Sequence, residues 1–332
     1  MTESCEVTIS PSEQRQLTSK AEPDTKDSDM TVSRWRSCLP MLLVLLVGSL
    51  LACSLIVGKL AINAGAAPLA FLCLALLGSG LGLWLLSIIR RQAARLSLRV
   101  LEYGMVAGLL FLLPNIVGFL AVRYVGAGFI SMTFLFPLLI TYCLALIAGL
   151  ERFSLLRAVA VLIGLAGGVL LAASKASLGD APLIWIILTL CGPFVIAAGN
   201  LYRTLRWPYG VAPLFLASQM LLMAGLVLLP LVLVVEGGNG FLSAITYGAV
   251  VILVWQMLTF SSLYFFYFIL QKVAGPVYLS QIGSVAAVVG AGVASFGLGE
   301  QLPPNLGLAA FLVAIGVFLF QRAAARKRED VG

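Results

Sequence analysis

Histidine is absent from the 332-residue sequence, and only 11% of the residues are charged. Losing histidine removes the commonest metal ligand and the commonest general base, so neither an ordinary zinc site nor a histidine proton relay is expected. The six cysteines (Cys5, Cys38, Cys53, Cys73, Cys143, Cys191) form no CxxC and no paired spacing. Those inside apolar stretches act as small hydrophobes. Carboxylates are scarce where they would count. Seven of the fourteen acids precede Leu39, and the rest (Glu102, Glu151, Asp180, Glu236, Glu300, Glu329, Asp330) sit at the ends of apolar runs or beyond them. No carboxylate is left mid-run to relay protons. An enzyme would need clustered catalytic side chains, so no enzymatic role is expected, and no cofactor or metal is implied.

What the chain has is apolar surface: 61% hydrophobic residues and a mean hydropathy of +1.06. No soluble core could use so much, so lipid is the expected solvent. The net charge of +7 comes from basic residues at the ends of apolar runs, where they set topology or meet anionic headgroups rather than nucleic acid. Residues 1–38 form a polar tail that cannot bury enough apolar surface to order itself, and disorder is expected there. The tail is too acidic to begin a signal peptide, and the first apolar run lacks a convincing cleavage site, so that run is read as retained.

From Leu39 the sequence reads as ten helical spans, at 39–61, 68–89, 101–121, 126–148, 154–174, 182–202, 212–235, 248–270, 275–298 and 305–321. Each has the roughly 20 residues needed to cross about 30 Å of hydrocarbon. With the N-terminus placed in the cytoplasm, fifteen basic residues close to the spans fall on the cytoplasmic side, and only Lys59, Arg123 and Lys175 fall opposite. That bias follows the positive-inside rule and puts both termini in the cytoplasm.

The chain is also written twice. AVRYVGAG from Ala121 leads through an apolar span to Glu151 and then to GGVLL from Gly167; roughly 148 residues later, ILQKVAGP from Ile269 leads to Glu300 and IGVFLF from Ile315. A long apolar repeat of this kind marks a secondary transporter made of two related halves. The halves are 39–174 and 182–322, followed by a basic tail at 323–332. Five spans per half is an odd number, so the copies are inverted, with a binding site expected near the midplane between them.

At these residues the chain resembles the drug/metabolite transporter superfamily, in particular its EamA-type members. The resemblance rests on a small-residue, aromatic-rich fourth span with an internal proline and a closing Gly-x-Glu or Gly-Glu, followed by a Gly-rich fifth span. Here that reads RYVGAGFISMTFLFPLLITYCLALIAGLER, with Pro137 and Glu151, then LIGLAGGVLL. The second half reads QKVAGPVYLSQIGSVAAVVGAGVASFGLGEQ, with Glu300, then FLVAIGVFLF. It lacks a proline near Val285, so the ninth span is expected to be straighter than the fourth. The resemblance implies a ten-helix bundle in the bacterial inner membrane that exports small organic metabolites, amino acids or related compounds among them, by alternating access. Spans three, four, eight and nine would line the cavity. A multidrug exporter or a lipid-carrier flippase is the same-fold alternative, and a non-transporting scaffold the alternative of another class.

Uncharged polar residues inside spans are the candidate substrate contacts. Pro114-Asn115 combines a missing backbone donor with an amide able to satisfy a freed carbonyl or to hold substrate. Asn200, Gln219, Gln256 and Gln281 each offer a donor and an acceptor, with helix-to-helix hydrogen bonding as the alternative use. In the eighth span residues 256, 260, 264 and 267 share a face, placing Gln256, Phe260, Tyr264 and Tyr267 in one column. Asn115, Tyr264 and Gln281 lead the set. Lys59 and Arg203 end the first span of each half; each reads either as a snorkelling anchor or as an attractor of anionic substrate or gate carboxylates. Glu151 and Glu300 read as caps or ion-pair partners of following helices, with gating as the sharper alternative. GxxxG spacings (Gly78/Gly82, Gly104/Gly108, Gly164/Gly168) serve close helix packing, with a homodimer contact as the other use.

Overall fold

The computed structural model describes residues 25–147, 149, 153–177, 181–299, 307–308, 311–312, 314–316, 318–319 and 322. Glu151, Glu300, the tail before residue 25, much of the expected span at 305–321 and the C-terminal tail 323–332 lie outside the described residues. Among the described residues all regular structure is α-helical and there is no strand. In chain order the helices are α1 (Thr25–Asn63), α2 (Pro68–Ile89), α3 (Leu98–Val125), α4 (Ala127–Thr133), α5 (Phe136–Ile147) and α6 (Leu155–Ser177). Then follow α7 (Leu183–Leu205), α8 (Pro213–Val235), the short α9 (Gly237–Ala244), α10 (Tyr247–Ser280) and α11 (Ile282–Leu298).

Among the described residues seven segments are long and apolar enough to cross a bilayer: Leu39–Asn63, Pro68–Ile89, Leu98–Val125, Ala127–Leu144, Leu183–Leu205, Pro213–Val235 and Gly248–Val273. The fifth and ninth expected spans correspond to shorter apolar helices, Leu155–Leu170 and Ile282–Gly297. The polarity is inside out. Leu98, Val234 and Phe296 are at least 85% exposed, while Asn200, Arg203, Gln219, Gln256 and Gln271 are buried. An apolar exterior around a polar interior suits a polytopic protein solvated by lipid.

The chain divides into two compact units, Met1–Leu42 and Leu43–Gly332. The first is helical from Thr25, so residues 25–38 differ from the disorder expected of the tail. Extending a helix already nucleated by an apolar run costs little.

In the second unit α2 packs along α8, α3 against α7 and α8, α10 against α2, α4 against α11, and α5 against α7. Helix starts are written locally. Pro68 and Pro213 open α2 and α8 at positions that need no backbone donor, and the Ser97 side chain accepts from Val100 N–H at the start of α3. Glu236 caps α2 from across the bundle, its carboxylate accepting the Leu69 and Ala70 N–H groups at 3.0 and 2.7 Å.

The fourth expected span is two helices, not one. Gly126, at φ 84°, ends α3, and a turn at Phe134-Leu135 separates α4 from α5. Pro137 is the cause: it cannot donate to Thr133, but it fits the first turn of a new helix. The ninth span, expected to be straighter than the fourth, is interrupted as well. Helical structure runs from α10 past residues 271–274 to Ser280, and the interruption falls at the single residue Gln281. The reason is a neighbour. A Cβ on Gly283 would overlap the Phe134 carbonyl oxygen, and one on Gly290 would overlap Ser131, so α11 crosses α4 backbone to backbone.

Candidate functional site

The two breaks meet beside a cavity in the helical bundle. Its wall comes from seven helices: Leu51 and Leu55 of α1, the Phe111–Phe119 stretch of α3, Ile130 to Pro137 around the α4–α5 turn, Thr189 to Arg203 of α7, Leu263 to Leu279 of α10, and Ile282 and Gly283 of α11. These positions lie along the middle of the apolar segments in α1 and α3. The expected lining by spans three, four, eight and nine is therefore supplemented by spans one and six. Three prolines, Pro114, Pro137 and Pro193, line the space; Pro114 and Pro193, inside their helices, leave the carbonyl one turn earlier without a ladder donor.

The polar end of the wall is built by α7 and α10. Asn200 and Arg203 are three apart and share a helical face. The guanidinium folds back over Gly199, whose missing side chain leaves room for it. Arg203 Nη2 donates to Asn200 Oδ1 at 2.6 Å and to the Tyr267 hydroxyl at 2.8 Å, and that hydroxyl donates to Asn200 Oδ1 at 2.6 Å. The guanidinium carbon also sits 5.4 Å from the Tyr267 ring centroid. Gln271 Nε2 extends the network, donating to Thr204 Oγ1 at 3.1 Å. Arg203 is only 5% exposed and is thus no interfacial anchor. Among the described residues no carboxylate pairs with it. Its Nε has no hydrogen-bond partner, and Nη1 meets only the Met220 sulfur at 3.8 Å.

Asn115 and Tyr264 complete the polar lining. Asn115 Nδ2 donates to Phe111 O at 2.8 Å, so the amide nitrogen is committed to its own helix and the amide oxygen is the group left for the cavity. Tyr264 is wedged edge-on against Phe111 and Phe260, with centroids 4.9 and 5.7 Å away.

Other sequence candidates stay apart. Gln256 heads the same face as Tyr264 but does not line the cavity; it is fully buried, and neither its Nε2 nor its Oε1 has a partner. Gln281 caps α11 at the break, half-buried, and is not part of the wall. Gln219 is buried where α8 meets Gly104 of α3. Lys59 is half-buried near the end of α1 and away from the lining, so it does not mirror Arg203. Glu151 and Glu300 lie outside the described residues.

Sequence reasoning missed Thr189 and Pro193 of α7, whereas it placed Tyr267 in the column with Tyr264. The signal for the first two was Gly192-Pro193 inside an apolar span, the same punctuation as Pro114. Gly192 in fact packs directly against Pro114 of α3.

No protein-family model matches the chain, and no curated protein matches it in sequence. Its fold is similar to that of a solved crystal structure described simply as a protein, with a TM-score of 0.58 and 17% identity over 88% of this chain and 98% of that one. At that identity the likeness shows a shared fold and nothing of function.

Proposed function

We propose that this chain is a secondary transporter of the EamA type, with ten spans arranged as two inverted five-helix repeats. It carries a small organic metabolite, an amino acid or a related compound, outward across the bacterial inner membrane. Substrate sits in the cavity, and rocking of the halves exposes it to one side and then the other. The observation that carries the reading is the cavity itself: it is polar at one end, enclosed by apolar helices, and lined by both halves.

Two further observations support it. Exchanging the first five spans for the second five maps the α2–α8 and α4–α11 contacts onto themselves and the α3–α8 contact onto α10–α2, and all four are packed pairs. The repeat register of roughly 148 residues also carries the Phe134-Leu135 turn to within two residues of the Gln281 break. Two interrupted helices crossing at their interruptions supply a pivot next to the substrate.

The test is a thermal-shift screen of the purified full-length protein against a metabolite library. Hits are then assayed for uptake into proteoliposomes with and without a pH gradient. The expected outcome is stabilisation by at least one chemical class and substrate-dependent flux of the same class. A protein that no metabolite stabilises and that moves none would be a scaffold.

A further inference from the structure

We propose that Arg203 is the seat for a carboxylate on the transported molecule, so that the substrate is an amphiphilic organic acid with an apolar or aromatic body. The inference rests on the transporter reading and names its substrate class.

A guanidinium carries a fixed positive charge, and burying one without a counter-charge is costly. Arg203 is buried, yet among the described residues its contacts are neutral: an amide oxygen, a phenol, a thioether and a ring face. Its Nε is buried with no acceptor at all. Structural arginines in apolar surroundings are matched by a carboxylate or by a full set of carbonyls. This one is matched by neither, and it faces the cavity.

The rest of the wall sharpens the identity. Among the described residues no Asp, Glu or Lys lines the cavity, so Arg203 is the single formal charge they place there and the field they set up is positive. Beyond the Arg203 cluster the lining is mostly Leu, Ile, Val, Phe and Pro, with the Tyr264 ring and the Asn115 amide among them. A carboxylate accepts well from the planar donor fork of arginine, and an apolar body fills the remainder. Organic cations meet repulsion with no acid to offset it. Asn200 and Tyr267 hold the guanidinium in place and are positioning residues.

The probes are benzoate, phenylacetate and hexanoate, set against phenylacetamide, phenethylamine and phenyl phosphate at equal concentration and ionic strength. Purified full-length protein is expected to gain thermal stability with at least one of the carboxylates and not with the amide or the amine. Arg203→Gln is expected to abolish that gain. Should the glutamine variant not fold, Arg203→Lys, which keeps the charge and loses the fork, is expected to weaken carboxylate binding by about tenfold or more. No stabilisation by any of the carboxylates, an equal response to the amide, or an undiminished response in Arg203→Gln overturns the assignment. Stabilisation by phenyl phosphate alone overturns the carboxylate assignment too. Flux separates this inference from the reading beneath it. Transport of only neutral or cationic metabolites leaves the transporter standing and removes the carboxylate seat; carboxylate binding without flux in proteoliposomes does the reverse.

Discussion

Asn115 and Tyr264 differ from Gln256 in one respect that decides what each is for: access to the cavity. The Asn115 amide oxygen and the Tyr264 hydroxyl take no hydrogen bond from the described residues and belong to side chains of the wall. A hydrogen bond from a neutral group contributes about 0.5–1.5 kcal/mol. Asn115→Ala and Tyr264→Phe are therefore each expected to reduce flux by roughly two- to tenfold. Folded yield should be unchanged. Flux measured in reconstituted vesicles checks this, and normal rates in both variants would take these side chains out of the substrate's path. Gln256 is predicted to behave in the opposite way. Both of its polar atoms are buried without partners, and an unsatisfied buried polar group costs about 1–3 kcal/mol. Gln256→Leu should raise the melting temperature and leave flux unaltered. A loss of flux there would show that the glutamine meets substrate in another conformation.

At the scale of elements, the crossing of α4 and α11 is the tightest junction near the site. Gly290 lies against Ser131, whose hydroxyl donates to Ala127 O at 2.8 Å and so is fixed in place. Adding a methyl there forces the helices apart, and overpacking of this kind costs about 1–3 kcal/mol. Gly290→Ala should lower the melting temperature, and adding Ser131→Gly, which vacates the space, should restore most of the loss. Strict additivity of the two changes would mean that they do not touch. The helices themselves were legible, because apolar runs of membrane length admit little else. The α4–α5 turn had a visible cause in Pro137. The break at Gln281 did not, since it answers to Phe134 of another helix, and no local residue type records that. Arg203 was misleading for a related reason. A basic residue near the end of an apolar run looks the same whether it reaches the interface or folds inward, and only the packing of α7 against α3, with Gly199 clearing space, decides between them. Tyr267 stood in the column with Tyr264, but nothing in the sequence recorded that its hydroxyl bonds Asn200 of another helix.

For the whole molecule, the sides on which loops meet constrain how the chain threads the membrane. Ala67 N–H, after the first span, donates to Ser243 Oγ, after the seventh, at 3.0 Å. Tyr103, just after the second span, stacks on Tyr202 at the end of the sixth, with centroids 6.0 Å apart. Tyr124, ending the third, stacks on Trp185, following the fifth, at 5.2 Å and 11°. Each meeting joins ends of the same parity, odd with odd or even with even. That pattern is required if every intervening helix crosses once, the short α6 included, and a re-entrant α6 would put Tyr124 and Trp185 on opposite faces. Together with the positive-inside bias it supports the proposed orientation, with both termini in the cytoplasm. Single cysteines introduced into a cysteine-free background test it with a membrane-impermeant maleimide. Asn63→Cys and Leu242→Cys should label in intact cells, whereas Arg95→Cys and Tyr209→Cys, both at exposed positions, should label only after permeabilisation. Labelling of the second pair alone in intact cells would invert the molecule while keeping its threading. Labelling of Asn63→Cys and Arg95→Cys from the same side would mean that α2 does not cross, and the inverted repeat would fall with it.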